Sequence, residues 1–385
     1  MTRILTTHAG SLPRPLALTG LYARSSQGGH VDPIELAEAG KAALTGILQS
    51  QADAGVDIAN NGEQQREAFF LYLRHRLSGI GGRWERKPQA DVAAYPDFQA
   101  AMAAANAEKT AVSNFQPPKT IGAIAHEHPE ACEEECADFA SALKTGGHQF
   151  AGTFLTAPSP GIVAAALKNE HYDSEEAYLD ALAAALRVEY ETILRNGHML
   201  QLDCPELGLE GHVTYAGQPQ AHLKFVERAI TAIAKGIDGL PKERIRLHLC
   251  WGNYEAPHDQ DTALADLWPV VKQAPVGGFV LPFANPRHAH EWRVLKASPP
   301  APYQTITAGV IDTLTNFVEH EEVVADRLEL VARAIDDPTR ITACTDCGFD
   351  TSAGMGRVAP SVVWAKLRAM ASGAKLASGR LGLDA

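Results

Sequence analysis

Short apolar runs alternate along this chain with longer helical patterns, and the runs end on polar residues. That alternation is the sequence form of repeated βα units around a parallel sheet, and it leaves few architectures open. The runs fall at 4–9, 56–60, 152–155, 199–202, 244–250, 278–281, 305–311 and 340–345, with helical patterns at 34–54, 174–196, 221–236, 263–273, 321–335 and 361–378. Eight βα units are the count of an α/β (β/α)8 TIM barrel, whose strand C-termini form the functional face. Ser11, Glu63, Asp203, His248, Cys250, Asp312 and Cys347 all fall at such ends.

The rhythm breaks after the second strand. Residues 69–77 read as helix, and a mixed stretch of glycines, prolines and alanines then gives an insertion over about 78–150, with an extra strand at 120–125. A 385-residue barrel with an insertion is an ordinary single domain, so 1–385 is read as one TIM-barrel unit. Within the insertion, Cys132 and Cys136 lie four apart on an acidic helix, near His126 and His128. No recognised zinc spacing results, and buried thiols account for the pair.

A net charge of −12 argues against nucleic acid or an anionic membrane as partner. No apolar run reaches transmembrane length, and the opening Met1-Thr2-Arg3-Ile4-Leu5 is too short for a signal core. Six irregularly spaced cysteines fit reduced thiols and a cytoplasmic setting. There is no P-loop and no dinucleotide fingerprint, and Ser159 sits between prolines rather than in a nucleophile elbow.

The fifth strand carries the chemistry. Side chains two apart share a strand face, so His248 and Cys250 point the same way, about 6–7 Å apart. Imidazole and thiolate so placed form half of a zinc site, and Cys347, at another strand end before a glycine, supplies a third donor. Core packing is the plainer account of any lone His-x-Cys; the second strand-end cysteine weighs against it. Cys344 forms Cys-x-x-Cys with Cys347, but three steps along a strand put the two on opposite faces, so Cys344 is read as packing.

With these strand ends in view, the chain resembles the catalytic barrel of cobalamin-independent methionine synthase, and more closely the single-barrel relatives without that enzyme's N-terminal half. The landmarks are Thr6-Thr7-His8-Ala9-Gly10-Ser11-Leu12-Pro13-Arg14-Pro15, Asn61-Gly62-Glu63, Leu200-Gln201-Leu202-Asp203, His248-Leu249-Cys250, Asn285-Pro286-Arg287-His288-Ala289-His290-Glu291-Trp292, Gly309-Val310-Ile311-Asp312 and Thr345-Asp346-Cys347-Gly348-Phe349. Epoxide:coenzyme M transferases of the same superfamily look similar at the His-x-Cys and Cys positions. The resemblance implies a Zn2+ on His248, Cys250 and Cys347 that turns a small thiol into a thiolate for alkylation, with Ser11, Glu63 and Asp203 gripping the amino acid end of homocysteine. Arg287 and His288 follow the seventh strand of that count, the insertion strand included. They are candidates for pairing with a substrate carboxylate or sulfonate; a clamp on backbone carbonyls is the alternative for the arginine. Tyr72 and Arg76, one helical turn apart, are candidates to lie over the pocket.

Two departures from the family pattern matter. Pro282 stands where the methionine synthases have a zinc-ligand glutamate, and Leu314 where the full-length enzyme has a histidine that handles a folate proton. The implied partners are therefore a small thiol and an alkyl donor, with a corrinoid or simple methyl donor fitting better than folate. The expected function is zinc-dependent methyl transfer to homocysteine or a related thiol. Opening of an epoxide by coenzyme M is the alternative within the same chemistry, and a metal-free barrel that binds a small molecule is the alternative outside it.

Overall fold

The computed structural model describes residues 3–113 and 116–383. Eight parallel strands form the sheet: β1 (Leu5–Thr6), β2 (Ile58–Ala59), β3 (Gly152–Pro158), β4 (Met199–Asp203), β5 (Ile245–His248), β6 (Gly278–Pro282), β7 (Thr305–Ile311) and β8 (Ile341–Thr345). Their spatial order is β1-β8-β7-β6-β5-β4-β3-β2. Backbone and side-chain bonds bring the two ends together, Asp57 N donating to Thr6 O at 3.0 Å and Thr7 Oγ1 to Ile58 O at 2.9 Å. This is the α/β barrel that the alternating pattern predicts.

Each crossover helix starts where its sequence says it should. Asp32 caps Pro33–Asp53 by accepting from Ile34 N, and Ser174 caps Glu175–Arg195 by accepting from Ala177 N. Proline stands in the first turn of Pro129–Gly146, Pro219–Gly236 and Pro360–Arg380, where its missing N–H costs nothing. The apolar stripe of Pro219–Gly236 (Phe225, Val226, Ala229, Ile233) is buried. Among the described residues no helix is long and apolar enough to cross a membrane.

The connection from β2 to β3 departs from the simple pattern. The expected helix at 69–77 is a short 3-10 turn, Leu71–His75. The strand expected at 120–125 is confined to Lys119–Thr120, which pairs antiparallel with Ile80–Gly81 and parallel with Lys168–Asn169 in a separate small sheet. Gly79 lies so close to the carbonyls of Gly122 and Ala123 that a Cβ there would meet them at 2.4 and 2.6 Å.

Tyr72 and Arg76 do not lie over the cavity described below. Arg76 donates to Glu189 at 2.8 Å and to Glu135 at 2.9 Å, Tyr72 donates to Glu189 at 2.8 Å, and Arg66 donates to Glu135 at 3.2 Å. Both arginines stack on the Tyr72 ring. All these groups are buried, and burial opposes the charge on both carboxylates. The neighbouring arginines outweigh it, holding Glu135 below its ordinary value and Glu189 further below. Because Asn61 also donates to Glu135 at 2.7 Å, the network pins the loop that carries Glu63. Replacing Glu135 by Ala leaves two buried guanidiniums short of a partner and should lower unfolding free energy by about 3–5 kcal/mol. In urea unfolding the exposed control Glu134→Ala should stay within about 0.5 kcal/mol of the parent; equal shifts would contradict this role.

Candidate metal centre and substrate cavity

His248 ends β5, and Cys250 follows two residues on, before Gly252 turns the chain away with φ +95°. Cys347 comes two residues after β8 ends at Thr345. Two strands, β6 and β7, separate β5 from β8, yet the three side chains converge over the barrel mouth. One donor atom from each lies within 4.8 Å of the others. Two sulfurs and an imidazole nitrogen are a zinc-type donor set, and such spacing is within reach of one ion. Cys344 is buried against Ala9 and Val280 and is not part of this group. Cys132 and Cys136 are likewise buried and outside the donor groups found among the described residues.

The charges at the mouth are mutually dependent. The closeness of Cys347, and then His248, outweighs burial and holds the Cys250 thiol well below its ordinary value. The same contact, with burial, pushes Cys347 well up. Burial opposes protonation of His248, but Cys250 and Asp203 outweigh it and raise the imidazole to about 10. His248 Nδ1 lies 3.2 Å from Asp203 Oδ1, and Nε2 3.2 Å from the carbonyl of Asp346. The Asp346 carboxylate accepts from the backbone N–H groups of Phe283, Ala284 and Asn285 at 2.7–3.1 Å, locking the loop after β6 against β8. Pro282, at the head of that loop, lines a small pocket of about 30 Å3 beside Cys250 and Cys347.

A cavity of about 820 Å3 opens over the three donors, and Ser11, Glu63 and Asp203 line it. Glu63 has φ +55°, an uncommon conformation for a side chain with a Cβ. Asn61 Oδ1 accepts its N–H at 3.0 Å and Arg14 donates to its carbonyl at 2.8 Å, which fixes the turn. One carboxylate oxygen of Glu63 accepts from Thr156 Oγ1 at 2.8 Å, while the other is buried without a hydrogen-bond partner. Burial, then the charge of Asp203, raises Glu63 to about 7. Gly10 must lack a Cβ here, since one would stand 2.9 Å from Glu63 Oε1. Ser11 Oγ accepts from Asp350 N at 3.3 Å, so its own proton is free to donate.

The roof of this cavity escaped the sequence pattern. Residues of segment 85–113, among them Val92, Met102, Ala103 and Asn106, line the cavity that the donors also line. Arg287 does not join the site: it is exposed, and its Nε donates to the carbonyl of His258 at 3.1 Å, the clamp alternative. His288 faces the small pocket rather than the large cavity. It is held between Asp261 and Glu291 at 2.9 and 2.8 Å and stacked on Trp251. The His258-x-x-Asp261 and His288-x-x-Glu291 spacings are the signal by which the sequence could have shown this second polar cluster.

An α/β barrel with a His/Cys/Cys cluster at its C-terminal mouth, under a roofed cavity edged with acids, is built for chemistry on a small molecule. No family model matches the chain. It is similar to the methionine synthases of Sulfolobus acidocaldarius, at 24% identity over 261 residues covering 67% of this chain and 65% of that protein, and of Thermococcus kodakarensis, at 24% over 345 residues covering 89% and 86%. A solved B12-independent methionine synthase from Shewanella sp. W3-18-1, in complex with selenomethionine, superposes with a TM-score of 0.72 at 22% identity, covering 98% of this chain and 99% of that one. The resemblance to single-barrel cobalamin-independent methionine synthases, read from the strand-end motifs, is borne out.

The metal-free chain should show its cysteine chemistry directly. Alkylation by iodoacetamide, mapped by mass spectrometry at about pH 7, should modify Cys250 before Cys344, because its neighbours favour the thiolate there. Cys344, pushed up to about 12 by burial, should be inert. Faster reaction at Cys344 than at Cys250 would contradict the charge arrangement.

Proposed function

We propose that this chain is a zinc-dependent methyltransferase that methylates the thiol of homocysteine. The observation that carries the reading is the convergence of His248, Cys250 and Cys347 under a cavity that Glu63 and Asp203 also line, Asp203 beside His248. Zn2+ held by the three donors supplies one property: it lowers the pKa of a coordinating thiol from about 8.5, so that the sulfur is a thiolate at neutral pH. The curated relatives and the solved Shewanella protein, named as methionine synthases, support the choice of thiol and of reaction.

The rest is done by side chains. Glu63 offers an unpartnered carboxylate oxygen to the substrate ammonium, with Asp203, beside His248, as the second acid. The Ser11 hydroxyl donates to the substrate carboxylate. Phe69, Phe70, Val92, Met102 and Ile162 make the cavity wall apolar, excluding water that would compete for the methyl group. The methyl donor enters between this wall and the bound thiol. A corrinoid or small donor suits Leu314 better than folate does.

The charge pattern also weighs against coenzyme M. A sulfonate needs an available cation: Arg86 at the cavity rim is paired with Glu210, Lys109 donates to the carbonyl of Met355 at 3.0 Å, and of the lining arginine and lysines exposed Lys87 alone has no such partner among the described residues. The acids nearest the donors suit an ammonium instead.

Purified protein supplied with homocysteine and methylcobalamin or another methyl donor should form methionine, measured by mass spectrometry. Cys347→Ser should lose at least about a hundredfold in rate. Product only from coenzyme M and an epoxide would overturn the reading.

Glu63 must be ionised to bind an ammonium and is neutral below its pKa. The kcat/KM for homocysteine should therefore rise with pH through about 7. Glu63→Gln should remove that limb and raise KM; an unchanged limb would assign it to another group.

A further inference from the structure

A second group of donors gathers beside the Trp251 ring, and two of its members, His258 and His288, line the small pocket that Cys250 and Cys347 also line. His212 follows β4, His258 and Asp261 lie in the loop after β5, and His288 lies in the loop after β6. The side chains of all four are at most 5% exposed. His258 Nδ1 and His288 Nε2 each stand 2.9 Å from Asp261 Oδ2, and His212 Nδ1 stands 3.2 Å from Asp261 Oδ1. Donor atoms from His258, Asp261 and His288 lie within 4.8 Å of one another. Donors about 2.0–2.1 Å from a tetrahedral ion are spaced about 3.3 Å apart; the contacts of His258 and His288 to Asp261 are of that order, while His212 reaches the other oxygen of Asp261 and stands outside the 4.8 Å group.

Hydrogen-bond accounting separates two explanations. As a metal-free network, His258 must donate from Nε2 to the carbonyl of Tyr254 at 2.9 Å and from Nδ1 to Asp261. His288 must donate from Nδ1 to Glu291 and from Nε2 to Asp261. Both would be buried imidazolium ions. Even then His212 Nδ1 and Asp261 Oδ1, despite their closeness, make no hydrogen bond. An ion at the centre resolves every one of these contacts. Each histidine then needs only one N–H, on the nitrogen that already faces an acceptor: His258 Nε2 to Tyr254 O, His288 Nδ1 to Glu291, and His212 Nε2 to the Tyr254 hydroxyl at 2.7 Å. Outward N–H bonds of this kind are the usual support of metal-bound imidazoles.

We propose that His258, His288 and Asp261, with His212 closing in as a fourth donor, form a second metal site for a divalent first-row transition ion such as Zn2+, with no ligand in common with the thiol centre. Three imidazoles and one carboxylate suit zinc, iron or nickel and disfavour calcium or magnesium. The site ties together the loops after β4, β5 and β6. It also reaches the cavity roof, because buried Asp91 of the roof accepts from the Tyr254 hydroxyl at 3.1 Å and from His258 N at 3.0 Å. Through the Trp251–His288 stack, with rings 3.8 Å apart, it steadies the loop that bears Cys250.

The test is metal stoichiometry by mass spectrometry on zinc-loaded, desalted protein, with circular dichroism confirming the fold of each variant. The parent should hold two ions per chain, Cys250→Ser/Cys347→Ser one, and Asp261→Asn one. Cobalt loaded into the double cysteine variant should give ligand-field bands without sulfur charge transfer, and the further change His212→Gln should weaken or remove them. A folded double cysteine variant that takes up neither zinc nor cobalt would overturn the proposal, as would an Asp261→Asn chain that keeps two ions. A parent with a single ion that survives loss of both cysteines and disappears in Asp261→Asn would support this site while removing the thiol centre.

Discussion

Two sulfurs and an imidazole from non-neighbouring strands meet at one point above the barrel, and the rest of the site is arranged to keep them there. Like groups of this kind do not gather without cause: burial raises the cost of each charge, and one thiol is depressed only as its neighbour is raised. The Asp346 carboxylate, accepting from three successive backbone N–H groups after β6, fixes the loop next to Cys347. The arginine–glutamate network around Tyr72 fixes the Glu63 loop. The donors and the acid thus line one cavity, both held in place.

The barrel and the three donors were legible because their signals are local. Period-two strands, capping residues and a proline at the first turn are each written within a few residues. A polar side chain at a strand end then needs only the fold to be placed on the functional face. Ser11, Glu63 and Asp203 were found in this way.

What escaped depends on partners distant in sequence. Arg76 meets Glu135 and Glu189, 59 and 113 residues away, so its helical spacing with Tyr72 suggested a pocket role it does not have. The roof helix Pro96–Ala107 buries no side chain fully, and alanine on every face hides which side meets the cavity. Arg287 was read evenly between substrate and backbone, and only the position of the His258 carbonyl decides for backbone. The histidines around Asp261 come from three separate loops, a grouping that no single motif announces.

X-ray absorption at the zinc edge tests the central claim most directly, using the Asp261→Asn chain loaded with zinc so that the thiol centre alone is seen. The account predicts two sulfur neighbours per ion at about 2.3 Å, with a third appearing when homocysteine is added. An ion surrounded by nitrogen and oxygen alone, unchanged by homocysteine, would contradict it.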